Sequence, residues 1–218
     1  MNSFIKPGDT IVEIGAGAGL SREFIVEEII LTDVLPFPWM NVCGDALRLP
    51  FGIEKIDALI CANVMHHVAA PVSFIAEMHR CLKPGGHVLI VEPNPSFLFL
   101  LALRIMRHEG WSFDIDVFNP AARVNDPADP WSGNNALSYL LFEDKKNFSA
   151  RIKGFEVIYD YFSECLMLLL SGGVTAKTRT VELSTSILTA VDYIDGMLCR
   201  LLPMIFAMRR SVVLRKLG

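Results

Sequence analysis

The chain has 218 residues, of which 52% are hydrophobic, and its 20 basic and 24 acidic side chains give a formal net charge of −4. This length suits one domain, residues 1–218, with a sizeable core, and the composition excludes global disorder. The slightly acidic balance argues against a nucleic-acid partner. The mean hydropathy of +0.39 is high. The excess of apolar side chains is therefore expected to be buried in a large core or against an apolar ligand, a partner or a membrane surface.

The composition predicts a cytoplasmic protein. No run reaches the roughly 18 apolar residues of a membrane-spanning helix, and the first ten residues lack the pattern of a signal peptide. The five cysteines lie at least 18 positions apart and form no metal-binding pair, which predicts buried, reduced thiols. They are Cys43, Cys61, Cys81, Cys165 and Cys199.

Strand and helix patterns alternate through residue 95. The predicted strands are residues 10–14, 29–32, 40–43, 56–61 and 87–91, and the predicted helices are residues 21–28 and 71–82, with a turn at 83–86. Near-continuous apolar strands that alternate with helices favour a parallel sheet covered on both faces.

The second half is less regular. Residues 96–107 and 181–210 predict helices, the latter broken near Pro203, and residues 155–162 and 211–217 predict strands. Residues 109–149 are rich in Asp, Asn, Pro and Gly, and a loop-rich stretch of this length is usually functional.

Three glycines at alternate positions follow the first strand, in the segment VEIGAGAGLS at residues 12–21. They allow a close approach of backbone to a ligand, and the helix predicted after them would face the ligand with its first amides. The dinucleotide fingerprint G-x-G-x-x-G would need a third glycine at Leu20. An NAD(P)-dependent oxidoreductase is therefore the less favoured assignment.

From about residue 8 to residue 95, the chain resembles the class I S-adenosylmethionine-dependent methyltransferases, particularly the small-molecule branch. Five segments carry the resemblance in order: EIGAGAG at 13–19, TD at 32–33, GDALRLPF at 44–51, DALICANVMHHV at 57–68, and RCLKPGG with the following strand at 80–92. The resemblance implies an α/β, three-layer Rossmann-like fold. Its mostly parallel seven-stranded sheet would carry a helical, loop-rich insertion in the C-terminal half.

The resemblance also implies S-adenosyl-L-methionine as cofactor and S-adenosyl-L-homocysteine as product. Asp33 would accept the ribose hydroxyls and Asp45 the adenine amino group, although either aspartate could instead serve only as a turn or cap residue. Glu13 would support the glycine loop or the cofactor's ammonium. The implied cofactor-binding set is Glu13, Gly15, Ala16, Gly17, Gly19, Asp33, Asp45, Ala46, Leu47, Asn63 and Val64.

The chain departs from the family pattern before and after the first strand. Only six residues precede Pro7, and nine residues separate Gly19 from the second strand. The cofactor site is therefore more open than usual, or the second half closes it.

Three residues after the fourth and fifth strands are candidates for catalysis. His66 and His67 can titrate near neutrality, and Glu92 ends the fifth strand at the same crevice. The alternatives are that one histidine caps the next helix and the other packs on the cofactor. We expect no metal, because adjacent histidines do not readily chelate one ion and no third ligand has a suitable spacing.

The irregular half is expected to determine acceptor specificity and partners. Residues 96–150 and 163–210 are predicted to bind the acceptor, form a lid or make an interface, with residues 126–135 as the candidate loop. The apolar runs 97–106 and 166–170 could line an acceptor pocket, build the core or form a homodimer interface. Residues 197–218 hold five basic side chains and no acid, which fits peripheral contact with an anionic membrane or ordinary solvation.

The predicted function is transfer of a methyl group to a small-molecule or lipid-like acceptor by in-line displacement. The alternative is a cofactor-binding, non-catalytic subunit of a larger complex. RNA methylation is disfavoured by the acidic balance and by the lack of an aromatic and basic stripe.

Overall fold

The computed structural model describes residues 2–107, 109–129, 131–171 and 180–218. Seven strands form one sheet, as predicted, and their order is β3-β2-β1-β4-β5-β7-β6. The strands β1 to β5 pair in parallel, and β7 runs antiparallel to both of its neighbours. The strands are β1 (Ile11–Ile14), β2 (Ile29–Asp33), β3 (Val42–Cys43), β4 (Ile56–Ala62), β5 (Leu82–Pro93), β6 (Phe155–Ser163) and β7 (Arg209–Lys216).

Seven α-helices accompany these strands in the described ranges. They are α1 (Pro71–Cys81), α2 (Phe97–Met106), α3 (Leu137–Phe142), α4 (Lys145–Arg151), α5 (Leu166–Leu170), α6 (Thr185–Leu201) and α7 (Pro203–Phe206). Both α3 and part of α4 lie in the stretch 109–149, which the sequence predicted to be loop-rich. Asp144 begins α4 as its N-cap by accepting hydrogen bonds from the amides of Lys146 and Asn147.

The prediction of a helix at residues 21–28 is wrong. The backbone forms a 3-10 turn at Leu20–Glu23 and then runs irregularly to β2. A helix rises 1.5 Å per residue and therefore needs about ten residues to run the length of a strand. The connection from β1 to β2 is short, and the glycine turn takes up its first part. The predicted turn at 83–86 is likewise absorbed into β5 as an irregular segment, where the pairing with β4 shifts register.

The two faces of the sheet are covered unequally. One face packs against α1, α3 and α4 in a core that includes Leu59, Phe74 and Phe142. The other face carries Ile11, Leu31 and other buried residues beneath short turns and the N-terminal segment, whose contributions include Ile5 and Ile25. The large core therefore lies on the first face.

The helices α2, α5, α6 and α7 form a separate apolar unit beside β6 and β7. Its buried residues are Phe99, Leu103, Leu168 and Met208 in one cluster and Cys165, Cys199 and Ala207 in another. The buried carboxylate of Asp195 on α6 accepts hydrogen bonds from the amides of Cys165, Leu166 and Met167, which fixes α5 against α6.

This helical unit also accounts for the apolar excess of the composition. Its outer surface exposes large apolar side chains, among them Phe97, Ile105, Tyr193 and Leu201. The described helices include none with the length and apolar character needed to cross a membrane. Residues 172–179, part of the predicted interface element 163–210, lie outside the described residues.

Part of the basic C-terminal segment is buried instead of forming the surface that the sequence suggested. Residues 209–216 are strand β7, and two of its basic side chains are buried in ion pairs, whereas Arg215 pairs with Glu156 at the surface. Arg210 is buried against Asp160 at 2.8 Å, and Lys216 is buried against Glu54 at 3.0 Å. Arg210 and Lys216 are thus engaged within the fold, and peripheral membrane contact through the remaining basic residues stays a prediction.

All five cysteines are free, and four of them are buried as predicted. Cys43 on β3 is exposed, because this two-residue strand lies at the sheet edge. Burial raises the pKa of Cys199 to about 12, so this thiol stays protonated at neutral pH.

Candidate active site

A cleft opens where the strand order reverses between β1 and β4. Ligands bind at such a switch point in open α/β sheets because the loops after the neighbouring strands diverge. The cleft has a volume of about 270 Å³. It is lined by Ile14, Gly15, Asp33, Val34, Gly44, Asp45, Ala46, Leu47, Val64, His67, Val68, Ala69, Asp126, Pro127 and Asp129.

The glycine loop forms one wall of this cleft. Gly15 has φ of 65°, and a Cβ added there would collide with the side chain of Val64. The amide of Gly17 donates to Asp33 Oδ2 at 2.9 Å, and the indole of Trp39 donates to the Gly17 carbonyl at 2.8 Å. The loop is thus held between β2 and Trp39, a contact that no motif of the sequence indicated.

Asp33 and Asp45 line the cleft and also stabilise turns. Asp33 Oδ1 accepts from the amide of Leu35 at 2.9 Å, and Asp45 Oδ1 accepts from the amide of Leu47 at 2.8 Å. A carboxylate offers about four lone-pair positions. Each aspartate therefore keeps acceptor capacity toward the cleft, and the turn role does not replace the predicted binding role.

Other residues of the predicted cofactor set lie behind the cleft. Glu13 is buried under the loop, where the Ser21 hydroxyl donates to Oε1 at 2.5 Å and Oε2 has no hydrogen-bond partner. Burial raises the pKa of Glu13 despite the hydrogen bond from Ser21. Ala16 packs into the core, and neither Gly17 nor Gly19 lines the cleft. For these residues the binding role stays a prediction.

A second cavity of about 210 Å³ adjoins the first. Its apolar wall comes mainly from the helical unit. Its polar groups lie after β4, at the start of β7 and in the irregular stretch between α2 and α3. It is lined by Asn63, His66, His67, Pro93, Phe99, Leu103, Glu109, Asn135, Leu168, Met208 and Arg209. His67 lines both cavities and so lies between them.

Glu92 organises the loop that carries the histidines. Its buried carboxylate accepts from the amides of Val64 and Met65 at 2.8 and 2.7 Å and contacts His66 Nδ1 at 2.5 Å. Burial alone would lower the pKa of His66, but the charges of Glu92 and Glu109 raise it to about 9. His66 is therefore an imidazolium between two carboxylates at neutral pH.

The protonation state of His67 differs from that of His66. Its Nδ1 lies 3.0 Å from the carbonyl oxygen of Ser132, and a carbonyl can only accept, so Nδ1 carries the proton. Burial and the neighbouring positive His66 lower the pKa of His67. The neutral ring therefore presents an unprotonated Nε2 to the cavity.

Glu109 is the site residue that the sequence did not suggest. It follows His67 by 42 positions in an irregular stretch, yet its carboxylate lies 3.4 Å from His66 Nε2 and 4.0 Å from His67 Nε2. The expectation of no metal considered only spacing along the chain, and the loop after α2 folds back to place Glu109 beside both histidines.

The surroundings of Asn63 and of the loop at residues 126–135 also differ from those that the sequence predicted. Asn63 has φ of 56° and accepts from Arg209 at 2.7 Å, and it lines the second cavity instead of the cofactor cleft. Asp126 and Asp129 line the first cleft, while Trp131 is exposed, and the role of this loop as a lid or recognition element stays a prediction. Pro130 lies outside the described residues.

Comparisons with known proteins agree with this architecture. Residues 12–90 match the family model described as "Methyltransferase domain". A demethylmenaquinone methyltransferase of Renibacterium salmoninarum is 30% identical over 105 residues, which cover 42% of this chain and 44% of that protein. The highly reducing polyketide synthase verA of Penicillium polonicum is 26% identical over 134 residues, covering 50% of this chain and 5% of that protein.

The chain thus spans less than half the length of these curated relatives. A solved structure, the SAM-dependent methyltransferase from Archaeoglobus fulgidus, matches with a TM-score of 0.56 and 17% identity over 98% of this chain and 89% of that one. At this identity the likeness concerns the fold. Residues 12–90 therefore match a methyltransferase domain, the chain has the fold of a solved SAM-dependent methyltransferase, and the domain match implies S-adenosylmethionine as cofactor.

Proposed function

We propose that the chain transfers the methyl group of S-adenosylmethionine to a small-molecule or lipid-like acceptor. The observation that carries the proposal is the position of His67, which lines both the cofactor cleft and the adjoining apolar cavity. An in-line displacement needs its two reactants on opposite sides of one reacting centre. Two cavities that share one wall residue supply that arrangement.

The residues of the cleft fit the cofactor. Asp33 and Asp45 offer carboxylates to ribose hydroxyls and to an adenine amino group, and the bare backbone of Gly15 permits close contact. The unpartnered Glu13 Oε2 is a buried acceptor beneath the loop, where a positive group at the loop would be stabilised. When bound, S-adenosylmethionine supplies a methyl group on a sulfonium that is open to nucleophilic attack.

Of the three candidate catalytic residues, we infer that His67 is the proton acceptor. Both ring nitrogens of His66 face carboxylates, so this ring has no free lone pair. Glu92 is occupied by backbone amides and by His66. These contacts support a positioning role for His66 and Glu92, and they leave His67 Nε2 to accept a proton from an acceptor hydroxyl.

The second cavity supports an apolar acceptor with one polar end. Phe99, Leu103 and Met208 form its apolar side, and Asn135 and Arg209 lie among its polar residues. A pocket of this kind orients an apolar molecule through a few polar contacts. The relatives named demethylmenaquinone methyltransferases agree with an acceptor of this class.

The test is transfer of label from methyl-labelled S-adenosylmethionine to the metabolites of a cell extract. The wild type should label a product that partitions into organic solvent. Gly15→Ala should lose most of this transfer, because the new Cβ meets Val64 and the positive φ is strained. Gly196→Ala on α6 is the matched control, since a Cβ there has no neighbour within 4 Å, and it should behave like the wild type.

The same experiment separates the alternative function. A wild-type chain that binds S-adenosylhomocysteine yet labels no acceptor would contradict the proposal and would favour a cofactor-binding, non-catalytic subunit. His67→Gln tests the proton acceptor separately: turnover should fall while affinity for S-adenosylhomocysteine changes little. Unchanged turnover would make His67 a structural residue, and His87→Gln is the control for loss of an imidazole elsewhere.

A further inference from the structure

We propose that His66, His67 and Glu109 form a binding site for a divalent transition-metal ion at the acceptor cavity. Two imidazoles and one carboxylate are a donor set that such ions prefer. Among the residues that the structure describes, this is the one group of three or more histidine, cysteine or acidic side chains whose ligand atoms converge, all within 4.8 Å of one another.

The separations of the ligand atoms suit one ion. His66 Nε2 lies 3.4 Å from Glu109 Oε2, and His67 Nε2 lies 4.0 Å from Glu109 Oε1. Ligands about 2.1 Å from a tetrahedral ion are roughly 3.4 Å apart. One distance matches already, and because all three ligand atoms lie within 4.8 Å of one another, side-chain shifts of no more than about 1.4 Å would bring the remaining pairs to that separation.

Both histidines have the supporting contacts of metal ligands. A ligating imidazole usually donates its second N–H to a carboxylate or a carbonyl, which fixes the ring and the tautomer. His66 Nδ1 contacts Glu92 and His67 Nδ1 contacts the carbonyl of Ser132. Each ring therefore directs Nε2 toward Glu109, and an ion would take the place of the proton that His66 shares with Glu109.

Gly133 closes the other side of this group. A Cβ at Gly133 would lie 3.0 Å from Glu109 Oε2 and 3.3 Å from both His66 Cδ2 and His67 Cε1. Glycine thus lets the backbone approach all three side chains at once. The loop that holds Ser132 and Gly133 packs the ligands together, as expected for a preorganised site.

The proposed ion would have open positions toward the cavity. All three ligands line that cavity beside the apolar residues Phe99 and Leu168. An apolar acceptor with an oxygen donor could then complete the coordination, and the ion would polarise that oxygen. With the ion bound, His67 Nε2 is a ligand and no longer a proton acceptor, so the ion would activate the acceptor oxygen in place of that base. This use of the ion rests on the proposed methyl transfer, whereas the binding of the ion does not.

The test is titration of the chelator-treated full chain with Zn²⁺ alone, followed by calorimetry. The wild type should bind one equivalent, and Glu109→Gln and His67→Gln should each weaken binding at least about tenfold. His87→Gln removes a histidine on β5 outside the group and should bind like the wild type. A Co²⁺ titration should give ligand-field absorption in the wild type that both ligand variants lose.

Two results would overturn the site: no stoichiometric binding to the wild type, or equal affinity in the wild type and both ligand variants. Thermal unfolding in the presence of chelator establishes that each variant is folded. S-adenosylhomocysteine is titrated into the same samples, because retained binding of this ligand without Zn²⁺ binding removes the metal site and leaves the proposed function standing.

Discussion

The two halves of the chain contribute differently to the same crevice. Residues up to 95 supply most of the first cleft, from strand ends and glycines that follow a recognisable pattern. The later residues complete the second cavity around the two histidines with Phe99, Glu109 and Arg209, none of which belongs to a motif. Local patterns therefore describe most of the first cleft, and tertiary contacts complete the second cavity.

The largest expected effect is a loss of stability on replacing Glu92, which lies where the two halves of the chain meet. Glu92→Ala should lower the free energy of unfolding by about 3–5 kcal/mol, because buried amides and the charged His66 lose their partner. Urea denaturation measures the change. Glu156→Ala is the control, since its ion pair with Arg215 is about half exposed and should cost less than about 1 kcal/mol. Equal losses of unfolding free energy in Glu92→Ala and Glu156→Ala would contradict the account.

The second prediction concerns the buried pair inside the later half. Asp160→Asn should destabilise the fold by about 3 kcal/mol at pH 7, because the buried Arg210 loses its close counter-charge and keeps only the longer contact with Glu143 at 3.5 Å. Burial would raise the pKa of Asp160, but hydrogen bonds from Arg210 and Lys145 hold it below its usual 3.8.

The pH dependence of this pair follows from that lowered pKa. The carboxylate contributes its full stability above the unfolded value of 3.8 and loses it as pH falls through the folded pKa. The difference between wild type and Asp160→Asn should therefore be constant from about pH 5 to 7 and shrink below about pH 4. Urea denaturation across this range measures it, and a difference that grows in acid would refute the assignment.

A smaller effect tests the motif-bearing half. Asp33→Ala should weaken binding of S-adenosylhomocysteine by about 1–3 kcal/mol, the scale of a lost hydrogen bond to a charged group. Because Asp33 also holds Gly17, the variant loses part of the loop as well as a ligand contact. Calorimetry measures the affinity, with Asp192→Asn on α6 as the control. If Asp33→Ala bound S-adenosylhomocysteine with wild-type affinity, Asp33 would not be a residue of the binding site.

The smallest effect tests a local element of the later half. Asp144→Ala should cost about 1 kcal/mol of stability, because two amides at the start of α4 lose their cap. Asp144→Asn should preserve most of the stability, since asparagine caps equally well. Thermal unfolding resolves the two variants, and identical losses would show that the cap contributes nothing.

The sheet was predictable because each strand carries its own apolar pattern. The number of strands and the placement of Asp33 at the end of β2 and of Asp45 after β3 followed from the patterns and motifs, whereas the strand order did not. The helix at residues 21–28 was not correctly predicted, because a helical pattern of side chains does not show whether the crossover has room for a helix.

Long-range contacts explain what the sequence left out. Glu109 reaches the histidines only because the loop after α2 turns back, and Trp39 reaches Gly17 from the next crossover. The basic residues of β7 predicted a surface stretch, yet Arg210 and Lys216 pair with acids on distant elements. Partners this far apart in the chain leave no local pattern.

Calorimetric titration of the full chain with S-adenosylhomocysteine, and separately with NAD, tests the central claim most directly. The account predicts one binding site for S-adenosylhomocysteine in the wild type, loss of that binding in Gly15→Ala and no binding of NAD. Binding of NAD in place of S-adenosylhomocysteine, or equal affinity in the wild type and Gly15→Ala, would contradict it.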